Sequence, residues 1–242
     1  MIAILGTGKM GEALLSGLLR AGRSPAEVAA VVRRPARADE LRESYGIPVL
    51  SVAEAAAKAE TLVIAVKPQD MERMLDEIAD LVTPSQLVIS MAAGITTSFI
   101  ERRFPVDVPV VRVMSNTPAL VDEAMSVISP GSHASEEHLL HAEELLAPLG
   151  KVIRIPEYQQ DAAILLGMPR RTALEMVTQT VYGAATMLRE SGEHPVILRD
   201  AVTSPAGTTI AAIRELEKHG VRAAFLAAIE AARDRGRELG DG

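Results

Sequence analysis

Cysteine and tryptophan are absent from this chain of 242 residues, and aromatic residues make up only 2% of it. Without cysteine, the chain can form no disulfide bond, thiolate metal site or cysteine nucleophile. The scarcity of aromatic side chains argues against surfaces on which nucleic-acid bases stack. An excess of positive charge is also absent, because 32 acidic residues outnumber 25 Lys and Arg and give a net charge of -7. This charge argues against a nucleic-acid partner, which would need a basic surface.

Long hydrophobic runs are missing as well. No apolar stretch is long enough to span a bilayer, and Met1–Leu5 lacks the positive region of a signal peptide. We therefore expect a cytoplasmic protein with no membrane partner. His138 and His141 lie three residues apart on a predicted helix. Without a third ligand cluster they predict a solvated polar face, and no metal site is expected.

Short apolar stretches alternate with helical stretches in the first part of the chain. The predicted strands are Ile2–Leu5, Val28–Val32, Leu62–Val66, Leu87–Met91, Val110–Met114, Met125–Ile128 and Val152–Ile155. The predicted helices are Lys9–Ala21, Ala36–Tyr45, Gln69–Leu81, Thr97–Phe104 and one from an N-cap at Ser135 to about Leu146. Such alternation is typical of an α/β fold with a parallel sheet and helices on both faces.

After Pro156 the sequence predicts helices alone. They cover roughly Arg170–Glu190, Thr208–His219 and Val221–Leu239. We place a domain boundary here, with a Rossmann-type parallel sheet domain over residues 1–156 and an all-α domain over residues 157–242. The last two helices are rich in Ala and Leu and are separated by Gly220, which is typical of a helix C-terminus. An apolar helical hairpin of this kind usually needs a partner.

A glycine-rich turn follows the first predicted strand and opens the first predicted helix. It matches G-x-G-x-x-G, in which the glycines permit a tight turn, close approach of a pyrophosphate and close helix packing. The alternative is a turn that only packs. In this context we expect dinucleotide binding, with phosphates at the helix N-terminus. The predicted cofactor contacts are Gly6, Thr7, Gly8, Lys9, Met10 and Gly11.

The end of the second predicted strand bears on the choice between NAD and NADP. An NAD site usually has an acidic residue there, whereas this chain has Arg33, Arg34 and Arg37 and no carboxylate is available. Guanidinium groups suit a 2′-phosphate. We predict NADP (NADPH) as cofactor, bound by Arg33 and Arg34, with NAD as the alternative. The alternative is that these arginines bind no cofactor and belong to a solvated basic loop.

Two further loops lie at predicted strand ends, where ligands bind in such sheets. One contains Ala65, Val66, Lys67 and Pro68, and the other contains Ala93 and Gly94. Their small residues suit the approach of a flat ring. On the sequence alone, Lys67 is equally well explained as a ligand contact or as a charge at a helix start.

Five stretches, in order, resemble motifs of the pyrroline-5-carboxylate reductase family. They are Gly6–Gly11, Ala65–Gln69, Ala92–Gly94, Val111–Leu120 and Ser191–Thr209. The family usually has proline at the position of Ser115 and glycine at that of Ala206. The resemblance covers nearly the whole chain. It implies NADPH-dependent hydride transfer to the C=N bond of 1-pyrroline-5-carboxylate, giving L-proline in proline biosynthesis.

The resemblance also implies site residues. Asn116 matches a residue near the nicotinamide, and Thr209 matches the position whose hydroxyl faces the imine nitrogen in a supporting catalytic role. The substrate carboxylate is expected at Ser204, Gly207, Thr208 and Thr209. The family further implies a homodimer through the C-terminal helices, often assembled into a higher homo-oligomer.

One departure from the family lies near residues 162–164. A loop and a long helix that the family has there, closing over the substrate and joining the dimer, are missing. Either the protein lacks them, or the printed sequence omits them and its numbering runs on. The close match of the flanking residues favours the second interpretation. A true deletion would leave the active site incomplete.

Two other functions stay open at this point. One is another NADP oxidoreductase of β-hydroxyacid dehydrogenase type, which should have a catalytic lysine in its helical domain. Lys218 is the candidate there, apart from Lys151 at the boundary, but no motif surrounds it. The other is a non-catalytic NADP-binding homologue, which a true deletion would favour.

Overall fold

A computed structural model of the chain describes residues 1–160, 168–203 and 207–240. Within these ranges, seven strands form one sheet. They are β1 (Ile2–Leu5), β2 (Val28–Val31), β3 (Thr61–Ile64), β4 (Leu87–Ser90), β5 (Val110–Met114), β6 (Ala124–Pro130) and β7 (Gly150–Arg154). Their order across the sheet is β2-β1-β3-β4-β5-β6-β7.

Helices connect the strands and follow the sheet. They are α1 (Lys9–Arg20), α2 (Pro35–Tyr45), α3 (Val52–Lys58), α4 (Met71–Ile78), α5 (Thr97–Glu101), α6 (Glu136–Leu146), α7 (Arg170–Ser191), α8 (Pro195–Val202), α9 (Thr208–Lys218) and α10 (Val221–Gly240). The predicted N-cap is confirmed, because the Ser135 hydroxyl accepts a hydrogen bond from the backbone of His138 at the start of α6. The predicted α/β class is confirmed by this architecture.

One strand pair departs from the predicted parallel sheet. β6 runs antiparallel to β5, with Val113 opposite Ile128, whereas the other neighbouring strands are parallel. The connection from β5 to β6 contains only a 3-10 turn at Thr117–Val121. A parallel crossover needs a dozen or more residues, usually with a helix, so the short turn reverses the chain direction.

Strands β1 to β6 are buried on both faces, which explains their mostly apolar sequence, whereas β7 at the end of the sheet is half-buried or exposed. Ile2 and Ile4 of β1 belong to a core that includes residues of α1 and α6. Ala3 and Leu5 point the other way, into a core that includes Met71, Leu75 and other residues of α4. Neighbouring strand residues face opposite sides, so β1 contributes to two hydrophobic layers.

Two helices of the structure lie outside the prediction. α3 begins with a capping box, in which Ser51 and Glu54 satisfy each other's backbone N–H groups. α8 begins at Pro195 behind a His194 side chain that accepts from the Val196 backbone. The predicted helix Gln69–Leu81 is shorter than expected, because residues Pro68–Asp70 form a separate 3-10 turn before α4.

The chain divides into two compact units, Met1–Glu190 and Ser191–Gly242. The first unit therefore includes nearly all of α7, beyond the sheet itself. The predicted boundary after Pro156 stays a prediction about domains. The predicted gap near residues 162–164 lies outside the described residues. Among the described helices, none combines the length and apolarity that crossing a membrane requires.

Candidate cofactor-binding site

The chain turns sharply between β1 and α1. Gly6 has a φ of +89°, a conformation that L side chains rarely adopt, and an added Cβ would lie 2.6 Å from Val66 Cγ1. The Gly6 N–H donates to Val31 O at 2.9 Å, and the Gly8 N–H donates to Gly6 O at 2.8 Å. At Gly11 an added Cβ would lie 2.9 Å from Gly6 O. Gly6 and Gly11 therefore let α1 start directly after β1 and pack closely against the sheet.

Gly8 has a different environment from the other two glycines. An added Cβ there would meet nothing within 4 Å, and the residue is exposed. Gly8 is the N-cap of α1 and makes no side-chain capping bond. The first N–H groups of α1 are thus left for an outside acceptor. This is the arrangement with which helix N-termini bind phosphates.

A cavity of about 430 Å³ opens beside this turn, at the carboxyl ends of β1, β2 and β3. We call it the glycine-loop cavity. It brings together eight of the predicted cofactor residues, Gly6, Thr7, Gly8, Arg33, Arg34, Ala65, Val66 and Lys67. Four other predicted residues do not line the cavity, although they lie close in sequence to residues that do. They are Lys9, Met10, Gly11 and Pro68.

Arg33 meets an acidic partner in the cavity. Its Nη1 lies 3.3 Å from Asp70 Oδ1, and Asp70 also lines the cavity. The same oxygen accepts from Arg73 Nη2 at 2.8 Å. The residues that directly follow β2 contain no carboxylate, as predicted. The acidic group at this end of the sheet comes instead from Asp70, in the turn after β3.

Arg37 also lines the cavity, but its guanidinium is already bound by two carboxylates. Its guanidinium bonds Glu12 of α1 and, at 3.0 Å, Glu40 of α2. The Tyr45 hydroxyl donates to the same Glu12 carboxylate at 3.1 Å. Burial, followed by this hydrogen bond, raises the pKa of Tyr45 above its usual value. Arg37 therefore ties α2 to α1, which leaves Arg33 and Arg34 as the exposed guanidinium groups of this loop.

Three predicted residues lie at the ends of the next strands. Ala93 and Gly94 follow β4 and are exposed, with Gly94 at a φ of +72°. Asn116 follows β5, and its side chain is held at both ends. Its Oδ1 accepts from the Met125 backbone at 2.9 Å, and its Nδ2 donates to Thr180 Oγ1 of α7 at 3.3 Å. α7 thus reaches the turn after β5, a contact that the sequence did not predict.

The predicted substrate residues belong to the second compact unit. Gly207 is the N-cap of α9, without a side-chain capping bond, and Thr208 and Thr209 are the first residues of the helix. Thr209 is half-buried. Ser204 lies outside the described residues. Among the described residues, no group of three or more acidic or histidine side chains could hold a metal ion.

Comparisons with known proteins identify the family of this chain. The model "Pyrroline-5-carboxylate reductase dimerisation" matches residues 151–239, and "NADP oxidoreductase coenzyme F420-dependent" matches residues 1–94. A pyrroline-5-carboxylate reductase of Corynebacterium melassecola is 39% identical over 265 positions, covering 99% of this chain and 98% of the relative. The chain belongs to the pyrroline-5-carboxylate reductase family. This confirms the predicted family and the predicted oxidoreductase class.

Other family members show the same similarity in sequence and in structure. A pyrroline-5-carboxylate reductase of Methanosarcina acetivorans is 39% identical, covering 99% of this chain and 97% of its own. The structure of a pyrroline-5-carboxylate reductase from Coxiella burnetii aligns with a TM-score of 0.64 and 31% identity, over 98% and 97% of the two chains. The Corynebacterium alignment has 265 positions, more than the 242 residues of this chain. Because it covers nearly all of both proteins, that family member has internal residues that this chain lacks.

Proposed function

We propose that this member of the pyrroline-5-carboxylate reductase family reduces the C=N bond of 1-pyrroline-5-carboxylate to give L-proline, with NADPH as the reductant. The observation that carries the proposal is the glycine-loop cavity. It combines an uncapped helix start with two exposed guanidinium groups. A pyrophosphate and a 2′-phosphate each need one of these features.

The residues of the cavity fit the cofactor. The open space over Gly8 allows backbone N–H groups to contact a pyrophosphate, because no Cβ stands there. Arg33 and Arg34 would hold the 2′-phosphate, and Ala65 to Lys67 line the same space. When bound, reduced nicotinamide supplies the hydride in this chemistry. The protein's part is to bind and orient.

Asn116 would position the nicotinamide end. Its amide is fixed by the Met125 N–H and by the Thr180 hydroxyl. A side chain held at both ends loses little freedom when a ligand arrives, which favours binding. Alignment of two reacting carbons can supply roughly 7–11 kcal/mol of the barrier. Residues that only orient the reactants can therefore supply much of the rate.

The start of α9 would bind the substrate. Gly207 leaves the first N–H groups of the helix without a side-chain cap, and the substrate carboxylate is an acceptor that suits them. Thr208 and Thr209 add hydroxyl groups, and we assign the Thr209 hydroxyl to the imine nitrogen. That hydroxyl would orient the N–H of the protonated imine or relay its proton. Ser204 completes the proposed set.

A spectrophotometric assay tests this function. Purified protein should consume NADPH when 1-pyrroline-5-carboxylate is added and should not oxidise β-hydroxyacids. Thr209→Val should lower kcat/KM about 10- to 100-fold, because a hydrogen bond to a charged group contributes about 1.5–3 kcal/mol. Thr209→Ser, which keeps the hydroxyl, should retain most of the activity. Binding of NADPH without turnover of any cyclic imine would refute the proposal in favour of a non-catalytic homologue.

Assembly and location belong to the same proposal. The dimerisation model that matches residues 151–239 supports a homo-oligomer. We assign the contact to the C-terminal helices, as a homodimer or a larger assembly built from it. We also place the protein in the cytoplasm, where the reduced cofactor is available.

A further inference from the structure

Arg33, Asp70 and Arg73 form a chain of charges at the mouth of the glycine-loop cavity. Asp70 Oδ1 receives Arg33 Nη1 at 3.3 Å and Arg73 Nη2 at 2.8 Å. Arg33 and Asp70 both line the cavity, and Arg73 stays outside its lining. Asp70 is 35% exposed and Arg33 50% exposed, so a bound ligand can reach both.

We propose that Asp70 determines cofactor specificity by setting the balance between NADPH and NADH at Arg33. The inference deepens the proposed function and rests on it. In an NAD site the acidic residue usually follows the second strand of the fold. Here the acid comes from the turn after β3 and meets the arginine that follows β2.

With NADPH, the carboxylate competes with the phosphate. A 2′-phosphate bound to Arg33 takes over the guanidinium that Asp70 now contacts at 3.3 Å. Two negative groups sharing one guanidinium repel each other, and at a partly exposed site this repulsion is reduced by solvent without vanishing. Asp70 therefore weakens NADPH binding below what Arg33 alone would give.

With NADH, the carboxylate becomes a ligand. The ribose 2′-hydroxyl is a donor, and an acidic side chain at this place accepts its hydrogen bond. Arg73 keeps its bond to the same oxygen when Arg33 moves, so Asp70 remains partnered and in place. Arg33 would thus bind the 2′-phosphate of NADPH, and Asp70 would accept a hydrogen bond from the ribose 2′-hydroxyl of NADH.

Binding of adenosine fragments tests the proposal without catalysis. Adenosine 2′,5′-bisphosphate represents the NADPH half and 5′-AMP the NADH half, each titrated by calorimetry. In Asp70→Asn the preference for the bisphosphate should rise about tenfold, because one repulsion and one charged acceptor are removed together. In Arg33→Ala the preference should fall. The ratio of kcat/KM for NADPH and NADH should move in the same directions.

Asp76→Asn is the matched control. Asp76 lies on helix α4, which directly follows Asp70, and pairs with Arg103 at 3.0 Å, outside the cavity lining. This variant removes an identical charge and should leave the preference unchanged. An equal shift in Asp76→Asn would mean that net charge alone acts, and the proposal would be overturned.

Other results also overturn it. An unchanged preference in Asp70→Asn, a shift towards 5′-AMP, or failure of both fragments to bind the unaltered protein would each refute the role of Asp70. The outcome is separate from that of the proposed function, because the fragments carry no hydride and need no imine. Normal fragment binding with no imine reduction would refute only the proposed reaction.

Discussion

Gly8 and Gly11 belong to the same motif, yet their missing side chains serve different ends. A Cβ at Gly11 would press against Gly6 O at 2.9 Å and Ile4 Cγ2 at 3.1 Å. A Cβ at Gly8 would stand in open space, at an unstrained φ of -83°. The missing side chain of Gly8 therefore allows a ligand to approach, and that of Gly11 allows close packing.

Alanine at each position separates these roles. Gly8→Ala should leave the melting temperature nearly unchanged and weaken NADPH binding about tenfold, because the methyl group takes up space that the pyrophosphate needs. Gly11→Ala should lower the free energy of unfolding by about 1–3 kcal/mol through overpacking. Thermal unfolding and NADPH titration of both variants measure the two effects. A large loss of stability in Gly8→Ala would contradict this division.

Among single residues, the sequence best predicts roles that depend on the local backbone. The glycine turn could be identified because its whole motif lies within six consecutive residues, Gly6–Gly11. The contact of Arg33 with Asp70 could not, since it depends on the order β2-β1-β3. That order brings together turns that follow strands far apart in the chain.

α6 is held against the start of β3 by a pair of polar side chains. His141 Nε2 lies 3.0 Å from Thr61 Oγ1. Burial lowers the pKa of His141 below its usual 6.5, and the positive charge of Arg23 acts in the same direction. Glu144 and Glu60 oppose this shift. A proton on His141 is therefore disfavoured in the folded state.

The sign of the pH effect follows from this shift. The unfolded chain binds a proton at His141 near pH 6.5, while the folded chain binds it only at lower pH. The stability that His141 contributes is complete above about pH 6.5 and is lost as the pH falls from there through the lower pKa of the folded state. His141→Gln should therefore lose less stability than the unaltered protein on acidification. Melting temperatures between about pH 8 and pH 5 measure this.

His219→Gln is the control for that experiment, because His219 is exposed at the end of α9. Its melting temperatures should follow those of the unaltered protein at every pH. Parallel curves for His141→Gln and the unaltered protein would show that His141 does not govern the acid response.

α7 packs on the turn after β5 through a residue without a side chain. A Cβ at Gly183 would lie 2.3 Å from Glu123 O and 2.6 Å from Pro118 Cβ. Gln179, one turn earlier, donates to Glu123 O at 3.2 Å and to Glu123 Oε2 at 3.0 Å. The helix therefore approaches this turn backbone to backbone.

Gly183→Ala tests this approach. In an unconstrained helix the change would stabilise the protein by roughly 1 kcal/mol. Here it should destabilise by about 1–3 kcal/mol, because the methyl group meets backbone that cannot move aside easily. Thr178→Ala, at an exposed position of the same helix, should change the melting temperature little. A higher melting temperature for Gly183→Ala would mean that α7 does not pack here.

The elements themselves were predictable to different degrees. Strands β1 to β6 could be found because burial on both faces leaves a mostly apolar stretch. The direction of β6 could not, because it depends on the length of one turn. α8 was missed because it has only eight residues, Pro195–Val202, which is too short for the helical pattern to be distinguished from that of a loop.

The second compact unit has no core of its own among its described residues. Every large buried hydrophobic side chain of the described chain precedes Ser191. In contrast, Phe225, Leu226 and Ile229 of α10 are each more than half exposed. Three helices of this size cannot offset the entropy of folding without burying apolar surface. The proposed dimer would supply that burial, which explains why the unit could be predicted to need a partner from its composition alone.

A single charge on α10 should therefore separate the subunits. Ile229 is 65% exposed in the single chain, and in Ile229→Lys a buried ammonium would oppose association, since an unpaired charge is costly to remove from water. Light scattering after size exclusion should give a smaller assembly, with a melting temperature that depends more strongly on protein concentration. Ala231→Lys adds the same charge at an exposed position on the opposite side of the helix from Phe225, Leu226 and Ile229, and should leave the assembly intact. If Ile229→Lys keeps its full mass while Ala231→Lys dissociates, the contact lies on another face of α10, because residues two apart in a helix point about 200° apart.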